Sequence, residues 1–250
     1  MKKIYTTLAA IVLVMAVSLG ALAAPAAAAA AGQGSKKEKR GEASARVRVP
    51  LNLAVLIQDD LVSRVGNELK VTGEFIRALP AGSRVMVGYI RAGSLQVRQA
   101  FTDDLDGASR SLRIPAGTTA VSPFNPYVEV REALRLFPAG GSNRNALLLI
   151  SDGLDASRGF DFSSAVDSID LDRAVREAKR REVAIYSFYA PSAGLTSYNR
   201  RAISFGQSAL NRISEETGGR AFFQGSSFVT FNAYFERLSR TLNEQHGTAY

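Results

Sequence analysis

The chain has no cysteine, no tryptophan and a single histidine. Without cysteine there is neither a disulfide nor a thiol for lipid attachment, and a zinc site built on Cys or on several His is excluded. His246 is the one imidazole, and no G-x-S-x-G stands at the end of any apolar run, so a Ser-His-Asp hydrolase lacks its parts. No glycine-rich phosphate loop follows the first apolar run, which speaks against nucleotide binding of the usual kinds. Lysine is scarce as well: beyond residue 48 the chain has only Lys70 and Lys179, both in segments of helical spacing. What stands in quantity at the ends of the apolar runs is carboxylate and hydroxyl oxygen, the ligand type of hard cations.

The first residues must be set apart from any fold. Met1-Lys2-Lys3 is a short basic start, and LAAIVLVMAVSLGALAA ends in small residues with Ala-Leu-Ala at 21–23. This is the layout of a secretory signal peptide over residues 1–24, and it implies a secreted protein, periplasmic or extracellular. The apolar stretch is nearly long enough to span a bilayer, so an uncleaved anchor is the alternative, and the one membrane contact expected. Residues 25–48, an Ala, Gly and Ser stretch with the charge run KKEKR and no aromatic residue, read as a disordered linker. Lys2 and Lys3 carry two units of the formal net charge of +8 and residues 36–48 a net four, which leaves +2 for the rest. The basic excess thus lies in the leader and does not argue for a nucleic-acid-binding fold. The linker run is a solvated spacer or a contact for anionic lipid or envelope polymer.

Residues 49–250 are enough for one domain with a full-sized core. LNLAVLI is a nearly continuous apolar run suited to a strand buried on both faces. Val65, Leu69, Phe75, Ile76 and Leu79 then fall near helical spacing, and Pro80-Ala-Gly ends that helix. RVMVGYI and LQVRQAF form a hairpin. A short helix is expected near Asp103 to Leu112, then a Gly/Thr/Ser/Pro loop, a helix from Tyr127 to Phe137, and the buried strand ALLLISD. Leu171 to Arg181 carries Asp170 and Asp172 at its start and Lys179, Arg180 and Arg181 at its end, the order that complements a helix dipole. The strand VAIYSFYA, a helix near Ser208 to Thr217, the strand RAFFQ and a helix from Phe231 to Asn243 complete the chain. This alternation predicts an α/β fold: a doubly wound, mainly parallel sheet with one antiparallel strand and helices on both faces.

Ligands of such sheets bind outside the carboxyl ends of the strands. Those positions hold Gln58, Asp59, Asp60 and Ser63 after LNLAVLI, Thr118, Thr119 and Ser122 in the loop before the third helix, and Ser151, Asp152 and Asp155 after ALLLI. The order of elements, a carboxylate ending the first strand, Ser-Asp-Gly after ALLLI, the run ISEETGGRAFF (Ile213 to Phe223) and the ending LNEQHGTAY resemble the bacterial secreted branch of the von Willebrand factor A (vWA) domains. The resemblance covers Leu51 to Tyr250. It implies a metal-ion-dependent adhesion site, with Asp-x-Ser-x-Ser after the first strand, a middle-loop Thr and a fourth-strand Asp holding Mg²⁺ or Ca²⁺. Carried over, Asp59 takes the first position, Leu61 stands where the first Ser belongs, Ser63 takes the last, and Asp152 matches the fourth-strand Asp with Ser151 where Thr is usual. Thr118, Thr119 and Ser122 compete for the middle position. The metal set is therefore Asp59, Ser63, Ser122 and Asp152, in a site that the leucine renders degenerate.

Each of these residues also has a plainer role. Ser63 suits a helix cap, Asp60 and Asp152 suit turns, and Gly218-Gly219 suits a backbone turn into RAFFQ. The carboxylates at 152, 155, 161, 167, 170 and 172 form an acidic rim beside the site or a hydrophilic insertion whose last members cap the next helix. The resemblance implies a secreted, non-enzymatic binding module that recognises a protein or cell-envelope polymer. The alternative is a metal-dependent, phosphatase-like hydrolase using Asp59, Asp60 and Asp152. Its family attacks phosphate with the first Asp of D-x-D, whereas here the pair is Asp-Asp without a spacer. A phospho-receiver domain, suggested by VLIQDD, fails on length, on the export signal and on a missing Lys after VAIYSFYA.

Overall fold

The computed structural model describes residues 46–62, 64–123, 125–157, 168–223 and 230–247. Strands β1 (Leu51–Gln58), β2 (Arg84–Arg91), β3 (Ser94–Thr102), β4 (Arg144–Ser151), β5 (Val183–Tyr189) and β6 (Ala221–Phe222) form one sheet in the order β3-β2-β1-β4-β5-β6. All neighbours run parallel except the β2/β3 hairpin. Its turn is Ala92-Gly93, with φ of 47° and 75°, the doubly left-handed pair that matches the twist of the flanking strands. The helices are α1 (Val65–Arg77), α2 (Leu105–Arg110), α3 (Pro126–Arg135), α4 (Ile169–Arg180), α5 (Arg200–Glu216) and α6 (Phe231–Gly247). The predicted doubly wound sheet with one antiparallel edge strand is what the chain forms. Among the described residues no helix is long and apolar enough to cross a membrane; residues 1–45, with the expected signal segment and most of the linker, lie outside them.

Strand periodicity sorts the core into two layers. Leu53, Val55 and Ile57 of β1 and Leu148 and Ile150 of β4 pack with Val65, Leu69 and Ile76 of α1 and with Phe231, Tyr234 and Phe235 of α6. Ala54, Leu56, Leu147 and Leu149 face the other way, onto Tyr127 and Val130 of α3, Leu171 and Ala174 of α4, and Leu210 of α5. Both central strands are buried along their apolar length, as their continuous runs predict, and each such side chain removed from water contributes roughly 1.5–3 kcal/mol. Phe188 anchors an aromatic cluster, its ring 4.9 to 5.5 Å from those of Phe222, Phe231, Tyr234 and Phe235.

The helix starts follow from local chemistry. Asp104, Asn125, Ser168 and Asn199 accept from backbone N–H groups at the starts of α2, α3, α4 and α5, and α6 is capped from a distance, where the Phe231 N–H donates to Glu68 at 2.7 Å. At α1 the residue Arg64 gives no side-chain cap, and Ser63, expected to do so, lies outside the described residues. The fold begins slightly before residue 49: Val47 is buried, and Asn243 clamps the entering chain by accepting from the Arg48 N–H and donating to the Arg46 carbonyl. α5 starts eight residues ahead of its expected beginning at Ser208, and the RAFFQ strand is paired only over Ala221–Phe222.

The Thr-Gly-Gly turn has a steric cause. Gly218 adopts φ of +79°, and a Cβ on Gly219 would stand 1.9 Å from the Ile185 carbonyl oxygen. Thr217 receives the Ile185 N–H at 3.1 Å and donates to Ile213 O at 2.7 Å. The motif therefore ties the end of α5 to β5, as the turn reading anticipates.

Candidate functional site

The order of the sheet places its topological switch point between β1 and β4, the crevice where doubly wound folds bind ligands. Because side chains alternate along a strand, Gln58 and Asp60 leave β1 on one side and Asp59 on the other. The two adjacent aspartates therefore enter different environments.

Asp59 turns towards β2. Its side chain has no exposed surface, and it pairs with Arg91 at 2.6 Å and Arg113 at 2.6 Å. Arg113 grips both oxygens, Nη1 on Oδ1 and Nη2 on Oδ2 at 2.9 Å, while Ala116 N–H donates to Oδ1 at 3.0 Å. Burial by itself raises the carboxyl's pKa; the hydrogen bonds from Arg113, the Ala116 N–H and Arg91 outweigh it and hold the group below the usual aspartate value. Arg113 is itself fixed, its guanidinium 4.0 Å above the Tyr89 ring and its backbone N–H and carbonyl both bonded to the Tyr89 hydroxyl.

Asp60 turns towards β4. It accepts from Gln58 Nε2 at 2.7 Å and from the Ser122 hydroxyl. Gln58 Oε1 in turn accepts from Ser151 Oγ at 2.5 Å and from the Asp152 N–H at 3.3 Å. Asp152 accepts from the Leu154 N–H at 3.1 Å and from Thr196 Oγ1 at 2.9 Å. Burial first, and the charge of Asp152 second, push Asp60 up to about 6, and burial likewise raises Asp152. The backbone closes the same corner, since Val62 N–H donates to Pro191 O and Ala193 N–H to Asp60 O. Gly153 and Gly206 allow the Ser-Asp-Gly turn to lie on α5: a Cβ on Gly206 would stand 2.0 Å from the Asp152 carbonyl oxygen.

The expected metal set is thus divided. Ser122, of the three middle-loop hydroxyls, is the one that reaches Asp60; Thr118 caps its own turn by accepting from Ala120 N–H, and Thr119 begins the 3₁₀ turn Thr119–Val121. Asp152 lies in the same hydrogen-bonded chain as Asp60, Asp59 faces two arginines instead, and Ser63 is outside the described residues. Leu61 is fully buried within the hydrophobic core beneath α1, so its side chain serves packing. A divalent cation on Asp59 would have to displace two guanidinium groups, and burial raises the pKa of both Asp60 and Asp152. Among the described residues no three His, Cys, Asp or Glu side chains are grouped to hold a metal. As placed, the described members of the set, Asp59, Ser122 and Asp152, do not fit Mg²⁺ or Ca²⁺.

Sequence reasoning did not single out Arg91, Arg113 or Thr196. Arg91 was within reach of it, as the residue that ends a parallel strand beside β1. Arg113 lies in a loop and Thr196 in the 3₁₀ turn Leu195–Ser197, neither with a periodic signal. Of the acidic segment, Asp155 accepts from Ser157 and Ser168, Asp170 pairs with Arg131 and Arg173, and Asp172 with Arg212. Asp170 and Asp172 are thus paired with arginines of α3, α4 and α5, and the cap of α4 is Ser168, not one of the carboxylates; positions 161 and 167 are outside the described residues.

No family model matches the chain, and no curated protein matches it. Solved structures do. The conserved hypothetical protein BatB from Bacteroides thetaiotaomicron aligns with 79% of this chain and 100% of its own at 13% identity, with a TM-score of 0.52. An aerotolerance-related membrane protein from Bacteroides fragilis NCTC 9343, carrying multiple mutations to serines, aligns over 78% and 99% at 12% identity, with a TM-score of 0.50. The VWA domain of SpRpn10 aligns over 79% and 95% at 12% identity, with a TM-score of 0.43. At such identities likeness speaks of fold. The mostly parallel six-stranded sheet with an antiparallel edge, flanked by helices, is the doubly wound α/β arrangement expected from the resemblance to vWA domains.

Proposed function

We propose that this chain is an exported, non-enzymatic recognition module that binds a protein or surface polymer through the loops at the carboxyl ends of β1, β2, β4 and β5, without a metal ion. The observation that carries this reading is the occupation of the strand-end carboxylates. Asp59 is neutralised by arginine, and Asp60 and Asp152 are held by Gln58, Ser122, Leu154 N–H and Thr196. Carboxylates so engaged have neither the free lone pairs for a catalytic metal nor the exposure of a nucleophile. Export is supported by the leader at 1–24, and an envelope setting by the description of one structural neighbour as a membrane protein.

The test places a photo-crosslinking amino acid at Thr119 or Tyr198 on the upper rim, and at Ala139 on the opposite rim, and exposes each variant to envelope fractions with EDTA present. A discrete adduct from the upper rim and none from the lower is expected. Turnover of a generic aryl phosphate by the wild-type chain, lost in Asp59→Asn or Asp60→Asn, would establish the hydrolase instead.

A further inference from the structure

We infer that the cluster of Asp59, Arg91 and Arg113 is a built anion site that takes the carboxylate of an acidic protein segment. The inference rests on the recognition reading above and names the ligand chemistry of its upper rim. Two guanidinium groups face one buried carboxylate, and neither arginine has another acidic partner among the described residues. The cluster carries one uncompensated positive charge, and Arg98 on β3 adds to the positive field felt at Tyr89. Asp59 cannot absorb more, because it already accepts four hydrogen bonds, from Arg91, twice from Arg113 and from Ala116 N–H.

Free donors remain on Arg91. It reaches Asp59 through Nη1 alone, its Nε and Nη2 donate to nothing among the described residues, and its side chain is 37% exposed. A guanidinium half-neutralised from below and open above presents an unmet fork to solvent, matched in geometry by a carboxylate. Arg113 is clamped by Tyr89 and Asp59, so the site loses little freedom when a ligand arrives. Ile114, the residue after Arg113, is 64% exposed. An exposed apolar side chain directly after the clamped Arg113 favours an acidic residue with an apolar neighbour, as a protein segment offers, over a polyuronate with no apolar groups.

The probe is a set of fluorescent peptides with a central Glu flanked by Leu, Val or Ser, their Gln counterparts, and soluble polygalacturonate, titrated into the chain in EDTA. Glu peptides with an apolar flank are expected to bind, Gln peptides at least tenfold more weakly, and affinity is expected to fall as salt rises. Arg91→Gln is expected to cost at least tenfold while melting within a few degrees of wild type, and Arg91→Lys is expected to recover part of the loss. Arg180→Gln, at the end of α4 on the opposite rim, is expected to change nothing. Equal binding of Gln peptides, a requirement for Mg²⁺, or preference for polygalacturonate would overturn the inference. An upper-rim crosslink to a partner without affinity for any acidic peptide would sink it and leave the recognition reading standing.

Discussion

Asp59 and Asp60 are neighbours in the chain and opposites in chemistry. The pKa of Asp59 is lowered from the ordinary 3.8, so the stability it contributes is complete above that value and is lost as the pH falls through the folded one. Asp60 is raised from 3.8 to about 6, so its contribution is complete below 3.8 and is lost as the pH rises through about 6. A shift of that size corresponds to about 3 kcal/mol. Asp60→Asn, which keeps an acceptor for Gln58, is therefore expected to stabilise the fold at pH 7.5 by about 1–3 kcal/mol and to do nothing at pH 4. Denaturant melts at the two pH values check this, and equal destabilisation at both would refute it. Asp59→Asn leaves two guanidinium groups over a buried amide and is expected to cost about 2–4 kcal/mol at pH 7. The same melts should show the acid-side loss of stability flattened in that variant.

Helices and strands here are joined at points of backbone contact as much as by their apolar faces. Gly219 lies against β5 and Gly206 against the Ser-Asp-Gly turn, each where a Cβ would meet a carbonyl oxygen at 2.0 Å or less. Gly219→Ala is expected to separate β6 from β5 at a cost of about 2–3 kcal/mol, read as a lowered melting temperature and faster amide exchange at Phe222. Gly206→Ala is expected to shift the Asp152 turn and so disturb the Gln58 chain, measurable as chemical-shift changes at Ser151 and Gly153. Ser168→Ala removes the cap of α4 and its bond to Asp155, with a loss of about 1 kcal/mol expected. The late reading of where α5 begins has the same origin. RRAISFGQ has little apolar periodicity and a glycine of poor helix propensity, and its helical state is secured by Asn199 at one end and by packing on the Asp152 turn.

At the level of the whole molecule, β1 and β4 lie inside the sheet and β3 and β6 at its edges. Amide exchange is expected to be slowest in Leu53–Ile57 and Leu147–Ile150 and fastest in β3 and β6; protection of β3 equal to that of β1 would contradict this order. The central strands were legible because a run such as LNLAVLI has one stable home, between two layers of helices. The alternation of elements then dictated the doubly wound order and the edge hairpin, and with them the location of the crevice. The occupants of the crevice were not legible. Arg91 and Arg113 stand 32 and 54 residues from Asp59, and Thr196 stands 44 from Asp152. Local pattern determined which segments are strands and helices, because propensity and periodicity act over a few residues. Which carboxylate meets a guanidinium and which meets a hydroxyl was decided only when loops from distant segments converged, since electrostatics and hydrogen bonding depend on separation in space.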